Sequence, residues 1–351
     1  MTPRERWRAL LAGEKPDRTP CDYWGTAEVT RRLLSDFQCH SEAELWKGLG
    51  VDKCIHLSPS HPRATEDTWH MQSLFSVWQI GTTLIPYADG LGVYEEAVVH
   101  PLADAQNVHD VERFPWPSAD DWDYGGLRAA CEQWPEYPIL AGTSEPFYLY
   151  SRLRGMERAL GDLIEEPAIA DAILEHLFEL DREVFERILS QVGDRIELVY
   201  VAEDLGTQES LLMSPKLFRR FLKPRMKCLI DVAHRHSVKV MHHDDGAIHP
   251  LIPDLIDAGI DILNPIQWRC RGMERESLAR EFGQALVFHG GVDNQQTLPF
   301  ATAEDVRRQV AENLRIFGQG KGYIVAPCHN IQPNTPTANI AALYRAVQEL
   351  G

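Results

Sequence analysis

The sequence predicts an α/β protein, a single (β/α)8 TIM barrel over residues 1–351 with an N-terminal extension and a small insertion after the second strand. Three observations carry this expectation. Four short apolar runs in the last third of the chain, Val238 to Met241, Ile260 to Leu263, Leu286 to Phe288 and Tyr323 to Ala326, each give out into polar, chemically capable residues. The segments between them are long enough for one helix and its turns, so strand, loop and helix alternate and every strand points the same way. Four further candidate strands upstream, Thr19 to Trp24, Val51 to Leu57, Tyr137 to Gly142 and Glu197 to Ala202, complete the eight that such a barrel needs.

The connecting elements carry their own signals. Between about Ser58 and Trp122 the pattern is irregular, and alternation around Thr82 to Val99 predicts a small hairpin or short antiparallel strands inserted after the second barrel strand. Ser214-Pro215 is a cap followed by proline at the first helical position. It opens a segment containing Leu217, Phe218, Phe221, Leu222, Leu229 and Ile230 that Pro224 kinks or interrupts. Ile248, Leu251, Ile252, Leu255 and Ile256 recur at three and four, on one face of a helix that covers the sheet. Thr302 with Asp305 three residues on starts a helix whose stripe is Val306, Val310, Leu314 and Phe317, and Gly318 and Gly320 stop it.

Composition excludes several classes. Asp and Glu outnumber Lys and Arg by 52 to 35, a formal charge of −17, so the surface as a whole repels a phosphate backbone and nucleic acid is not an expected partner. No apolar stretch approaches the ~20 residues that span a bilayer. The opening Met1 to Trp7 lacks the apolar core of a signal peptide, so no membrane partner is expected and a cytoplasmic location follows by default. The seven cysteines are scattered, odd in number and without a C-x-x-C pair, which argues against a disulfide framework or a zinc knuckle.

In a barrel of parallel strands the C-terminal strand ends share one rim, and the chemistry concentrates there. His243 and Asp245, two residues apart at a strand end, project to the same side because side-chain direction alternates with period two. His329, on the last strand's loop, can supply a third donor across the rim. Imidazole, carboxylate and imidazole suit zinc, or ferrous iron if the remaining positions stay open. The alternative is that His243 and Asp245 form a hydrogen-bonded pair that binds substrate directly, without metal. Glu203 and Asp204, paired carboxylates after a buried run, can orient a ligand, exchange a proton or join a metal shell. Ser144-Glu145 is a weaker instance of the same arrangement. His289, followed by two glycines and Asp293, combines a titratable ring with backbone that a ligand can approach, or else forms a tight turn with a capping Asp. Cys328 either stands activated beside a metal or points into the core.

The blocks Glu203 to Gln208, Ser214-Pro215, His243 to Gly246, Asp261 to Gln267, His289 to Asp293 and Asn334 to Pro336, in their order and spacing, strongly resemble the uroporphyrinogen decarboxylase superfamily. The opening, Thr2 to Arg6 with Asp17 to Pro20, also looks like the start of these proteins. The resemblance implies a (β/α)8 barrel with its site at the strand C-terminal ends. True uroporphyrinogen decarboxylases carry an arginine-rich stretch after the first strand. The equivalent here, Cys21 to Glu28 with Trp24 in it, is acidic and has no arginine until Arg31. The branch of zinc-dependent, corrinoid-linked methyltransferases has a pattern resembling His-x-Cys-Gly, with a later Cys in a Pro-Gly-Cys-Gly turn. Laid onto this chain, these fall on His243-Asp244-Asp245-Gly246 and on His329, so both thiolates are replaced by harder donors.

The expected activity is therefore metal-assisted methyl transfer between a small O- or N-methylated compound, or a folate, and a corrinoid protein. The expected metal ligands are His243, Asp245 and His329, around zinc or another divalent ion. Glu203, Asp204 and His289 are the candidate catalytic groups, and Trp24, Glu145, Asn264, Gln267 and Asp293 the candidate substrate-binding residues. A decarboxylase of a small carboxylic acid on the same barrel and a non-catalytic binding protein are the alternatives. A homodimer is compatible with the sequence.

Overall fold

Along Leu198–Ala202, residues at alternate positions bury on opposite faces of the sheet. Leu198, Tyr200 and Ala202 join Leu140, Met241, Ile262, Val287 and Ile324 in one apolar cluster. Val199 and Val201 join Val240, Leu263, Phe288 and Val325 in a second cluster that packs against helices. Both faces being apolar, these strands can only lie inside a helix-covered parallel sheet. Each fully buried aliphatic side chain contributes about 1.5–3 kcal/mol, so the two-sided pattern holds the strands firmly in register.

The computed structural model describes residues 1–64, 74–87 and 90–351. Its strands in chain order are β1 (Ile55–Leu57), β2 (Gly81–Tyr87), β3 (Gly92–Val99), β4 (Ile139–Ser144), β5 (Leu198–Ala202), β6 (Lys239–His243), β7 (Ile262–Asn264), β8 (Val287–Val292) and β9 (Tyr323–Pro327). Seven of them form one curled parallel sheet in the order β1-β4-β5-β6-β7-β8-β9, with helices alternating between the strands. Strands β2 and β3 pair antiparallel as a separate hairpin, where the alternation predicted one. Residues 65–73 and 88–89, within the irregular stretch from Ser58 to Trp122, lie outside the described residues.

The expectation of eight regular strands is corrected at the first of them. Thr19 to Trp24 forms only isolated parallel bridges, Cys21 to Val325 and, just beyond it, Gly25 to Ile331. On one side Asp22 N donates to the Val325 carbonyl (2.9 Å), and on the other Asp52 N donates to the Cys21 carbonyl (2.8 Å). The Asp22 side chain, not a backbone carbonyl, accepts Cys54 N (3.0 Å), so a carboxylate replaces part of the ladder and shortens the second strand to Ile55–Leu57. The N-terminal helix Pro3–Leu11 sends Trp7, fully buried, into the inner cluster, where its Nε1 donates to the Asp52 carbonyl.

Caps read from sequence stand where expected. Thr302 and Asp305 form a capping box on Ala303–Phe317, and Ser214 caps Pro215–Phe221. The chain breaks at Leu222 and restarts as Lys223–Arg235, with Pro224 in the first turn. The helix expected from Ile248 is instead a short 3-10 turn, His249–Leu251, followed by the α-helix Ile252–Ala258. Pro250 and Pro253 lack the N–H that would continue one helix, so each sits in a first turn.

Candidate functional site

The register places the chemistry in one row. Ala202 pairs with His243 and His243 with Asn264, and since Leu263 pairs with Phe288, Asn264 stands level with His289. His243, Asn264 and His289 have the same parity as Met241, Ile262 and Val287, so they continue the inner apolar layer upward as a polar one. They bond to one another: His243 Nδ1 lies 2.6 Å from Asn264 Oδ1, and Asn264 Nδ2 lies 2.6 Å from His289 Nδ1. His289 Nε2 lies 3.2 Å from Asp22 Oδ2. The opposite parity sends His242 and Asp244 outward, fully buried, with Nε2 3.7 Å from Oδ2.

His243 Nε2 faces two carboxylates, Asp204 Oδ1 at 3.9 Å and Asp245 Oδ2 at 4.0 Å. Ligating atoms of Asp204, His243 and Asp245 all lie within 4.8 Å of one another. Asp204 reaches this position because the loops after β5 and β6 touch backbone to backbone. Ala247 N donates to the Thr207 carbonyl (2.7 Å). Gly246, at φ +94, has no room for a Cβ, which would fall 2.6 Å from Gly206 C. His329 borders the same group from the far side of Asp245, its Nε2 3.7 Å from Oδ2 and its ring half-exposed. Asp245 Oδ1 is buried and accepts no hydrogen bond among the described residues.

A cavity of about 630 Å³ opens beside this cluster, lined by Trp24, Tyr148, Tyr200 and Lys53 along with Glu145, Asp204, His243 and His329. Trp24 stacks on His243 at a ring separation of 5.9 Å and an interplanar angle of 13°. A second cavity of about 250 Å³, lined by Phe147, Arg152 and Met156, also borders Asp204 and Asp245. Burial, then Asp204, pushes the Glu145 carboxyl up to about 7, against the pull of His243. Asp204 is pushed up to about 6 by burial and by Asp245 and Asp244, with His243 opposing. For His243 burial disfavours the charged ring, but Asp245, Asp204 and Asn264 outweigh it and the ring titrates above its ordinary value. Burial also opposes ionisation of Asp22, yet Lys53, 3.8 Å away, and His289 hold its carboxyl well below the usual carboxylate range.

The structure thus brings together Trp24, Glu145, Asp204, His243, Asp245 and His329. It does not bring in the rest. Glu203 borders the large cavity, but both its oxygens accept the N–H of Phe147 at 3.0 Å, and Oε2 also takes Tyr148 N at 3.1 Å, so it anchors the first turn of helix Pro146–Arg154. Asp293 accepts from Arg269 Nε (2.6 Å) and from the backbone of Gln295, Gln296 and Thr297, the capping alternative. Gln267 Oε1 accepts Gly246 N (2.9 Å) and supports the loop that carries Asp245. Asn264 and His289 are buried in the row beneath the cavity wall. Sequence reasoning passed over Asp22, Lys53 and Tyr200. Asp22 and Lys53 lie in or beside the strands expected at the N-terminal end, and an acid placed mid-strand is the signal that could have singled out Asp22.

Cys328 points into the core, its Sγ 3.1 Å from the Ile266 carbonyl, and burial pushes the thiol well above its ordinary value. Cys328→Ser is accordingly expected to retain divalent metal at wild-type stoichiometry, checked by elemental analysis after gel filtration. Loss of metal in that variant with retention in His329→Ala would reverse the assignment of the two side chains.

Comparisons agree with this architecture. The chain is 22% identical over 291 residues to a uroporphyrinogen decarboxylase of Legionella pneumophila (strain Corby), covering 76% of each. A uroporphyrinogen decarboxylase of Thermus thermophilus is 29% identical over 143 residues, 39% of this chain and 38% of that one. A methyltransferase from Methanosarcina mazei superposes with a TM-score of 0.70 at 20% identity, covering 99% of both chains, and so shares the fold. The family model for uroporphyrinogen decarboxylase (URO-D) matches residues 78–350, and the chain belongs to that family.

Proposed function

We propose that the protein is a metal-assisted methyltransferase that moves a methyl group between a small O- or N-methylated compound, or a folate, and a corrinoid carried by a partner protein in the cytoplasm. The observation that carries this reading is that Asp204, His243 and Asp245 border two cavities, the larger lined by Asp204 and His243 and the smaller by Asp204 and Asp245, which gives two reactants access to one cluster. The donor set fits a divalent metal. It offers two carboxylates and an imidazole within 4.8 Å of one another, and Asp245 has a buried oxygen left without a partner among the described residues. His329 stands ready as a fourth donor. Zinc is the preferred ion, and the oxygen-rich set also suits harder ions.

A metal held there supplies Lewis-acid polarisation of the atom that carries or receives the methyl group. The chain's own residues do the remainder. Trp24, Tyr200 and Tyr148 offer aromatic faces to an organic substrate in the larger cavity. When a methyl group leaves oxygen or nitrogen, the bonding electron pair stays on that atom, which then takes a proton. Glu145, with its carboxyl pushed up to about 7, is protonated often enough at neutral pH to give one. In this reading the proton exchange rests on Glu145, Asp204 stays ionised in the donor set, and Glu203 positions the helix that carries Tyr148.

Two observations favour a second reading, decarboxylation of a small carboxylic acid. The similarity over 76% of the chain is to proteins named uroporphyrinogen decarboxylase, and Lys53 gives the large cavity a cation for a carboxylate. The wall also carries Glu42, Glu145, Glu203 and Asp204, so a substrate with many carboxylates is disfavoured. Purified protein mixed with cob(I)alamin and a panel of methoxylated, N-methylated and folate donors is expected to form methylcobalamin, read by absorbance. Carbon dioxide release from an acid with no methylcobalamin from any donor would move the assignment to decarboxylase, and silence in both assays to a binding protein.

A further inference from the structure

Asp22 is fully buried beneath the site and shows an unusual division of labour between its oxygens. Oδ1 accepts two backbone donors, Tyr23 N at 2.8 Å and Cys54 N at 3.0 Å. Oδ2 accepts Trp24 Nε1 at 2.9 Å and faces His289 Nε2 at 3.2 Å. A carboxylate can only accept, so His289 Nε2 carries a hydrogen. A neutral His289 then has a bare Nδ1, which must accept, and the Asn264 atom 2.6 Å from it must be the amide nitrogen. The Asn264 oxygen is thereby turned to His243 Nδ1, 2.6 Å away, and that nitrogen must donate. His243 is left with its lone pair on Nε2, the atom that faces Asp204 and Asp245.

We propose that Asp22 is a positioning residue: through His289 and Asn264 it dictates the tautomer of His243, and through Trp24 it fixes the ring's plane, so that the Nε2 lone pair is presented to the metal-capable cluster before any ion arrives. The second route is visible in Trp24 itself, which is bonded to Asp22 at one end and stacked on His243 along its face. Partners that orient a ligating imidazole through its second nitrogen commonly contribute about 10- to 100-fold in metal affinity. Here the control is exerted from the opposite end of the chain, across three hydrogen bonds that have only one consistent direction while Asp22 is an acceptor.

The proposal rests on the reading of Asp204, His243 and Asp245 as metal ligands, and the test separates the two. In the wild-type protein, without metal and at a pH where the imidazoles are neutral, two-bond hydrogen–nitrogen correlation on 15N-histidine is expected to show His243 as the Nδ1–H tautomer and His289 as the Nε2–H tautomer. Asp22→Asn keeps the shape of the side chain. Tyr23 N and Cys54 N still require an acceptor at Oδ1, so the introduced amide nitrogen takes the place of Oδ2, where it gives up the bond from Trp24 Nε1, donates to His289 and reverses the direction of the whole chain. His243 is then expected to appear as the Nε2–H tautomer, and Co(II) affinity, followed by the ion's visible absorption, to fall on the order of 10- to 100-fold. Adding Asn264→Asp to that variant supplies a carboxylate that accepts from both rings, and is expected to restore the Nδ1–H tautomer of His243 and with it a measurable part of the Co(II) affinity, the bond from Trp24 remaining broken.

An unchanged His243 tautomer in Asp22→Asn overturns the proposal, as does a loss of Co(II) affinity that Asn264→Asp fails to recover, since that marks general damage. A wild-type His243 already in the Nε2–H form overturns it without any variant. Wild-type protein that binds no Co(II) but shows the expected tautomers and their reversal would sink the metal reading and leave the relay standing.

Discussion

His243→Ala is expected to weaken binding of zinc or cobalt by more than about 100-fold, beyond what loss of a supporting partner costs. Among the described residues His243 is the imidazole within 4.8 Å of both cluster carboxylates, and without it Asp204 and Asp245 would be left to hold a cation by charge alone at a partly open site. Asp204→Ala and Asp245→Ala should each cost a comparable factor, and His329→Ala less, because His329, 3.7 Å from Asp245, stands outside the group whose ligating atoms lie within 4.8 Å of one another. Competition against a chromophoric chelator measures all four. A His243→Ala protein that keeps stoichiometric metal would place the ion elsewhere.

The same cluster sets a pH dependence whose sign can be worked out. Glu145 and Asp204 have carboxyls raised to about 7 and about 6 in the native state, and His243 is raised as well. All three bind protons more tightly folded than unfolded, so without metal the stability they contribute is full in acid and is lost as pH rises through the native values. Metal binding requires ionised Asp204 and neutral His243. Added zinc should therefore stabilise the fold progressively more as pH rises from about 5 to about 8. Thermal melts with and without zinc across that window test the trend, and a zinc-induced shift that shrinks toward alkaline pH would contradict it.

The largest effect on stability is expected at Asp162. Arg154 is 4% exposed and Asp162 7%, and they form a two-pronged pair, Nε to Oδ2 at 2.6 Å and NH2 to Oδ1 at 3.2 Å. The remaining guanidinium nitrogen donates to the carbonyls of Leu102 (2.7 Å), Ala103 (3.1 Å) and Ala105 (2.9 Å), and Tyr150 donates to Asp162 at 3.0 Å. The pair thus ties the segment from Leu102 to Ala105, after β3, to helix Pro146–Arg154, whose first turn Glu203 anchors beside the site. Asp162→Ala leaves a buried cation with no counter-charge and should cost about 3–5 kcal/mol. Urea denaturation should show a lower midpoint with little change in slope. Asp162→Asn retains an acceptor and should lose less. An unchanged midpoint for Asp162→Ala would mean that water reaches Arg154.

Which parts were legible before the structure follows from how local their causes are. The capping box at Thr302, the N-cap at Ser214, the hairpin around Thr82 to Val99 and the apolar runs of β5, β6, β8 and β9 depend on neighbours a few residues away, and they stand where their signals put them. The spacing of His243 and Asp245 similarly implied convergence, and their facing atoms lie 4.0 Å apart. Asp293 shows the limit of that kind of reasoning. A carboxylate on the rim is equally suited to ligand or cap, and the backbone N–H groups of Gln295, Gln296 and Thr297 claimed it.

What the sequence by itself determined about this protein is the alternating strand and helix order, the rim on which chemistry collects and the strand end that carries His243. Only the tertiary structure decided that Asp204 joins His243 and Asp245, because that rests on two glycine loops touching across neighbouring strands. It alone placed Asp22 under His289, since the bridge from Cys21 to Val325 brings the two ends of the chain side by side. The physical reason is one of range. Dihedral preference, capping and alternation act over a few bonds and are written in the local order of residues. The direction of a hydrogen bond between distant strands depends on register, and register is settled only when both faces of the sheet are buried together.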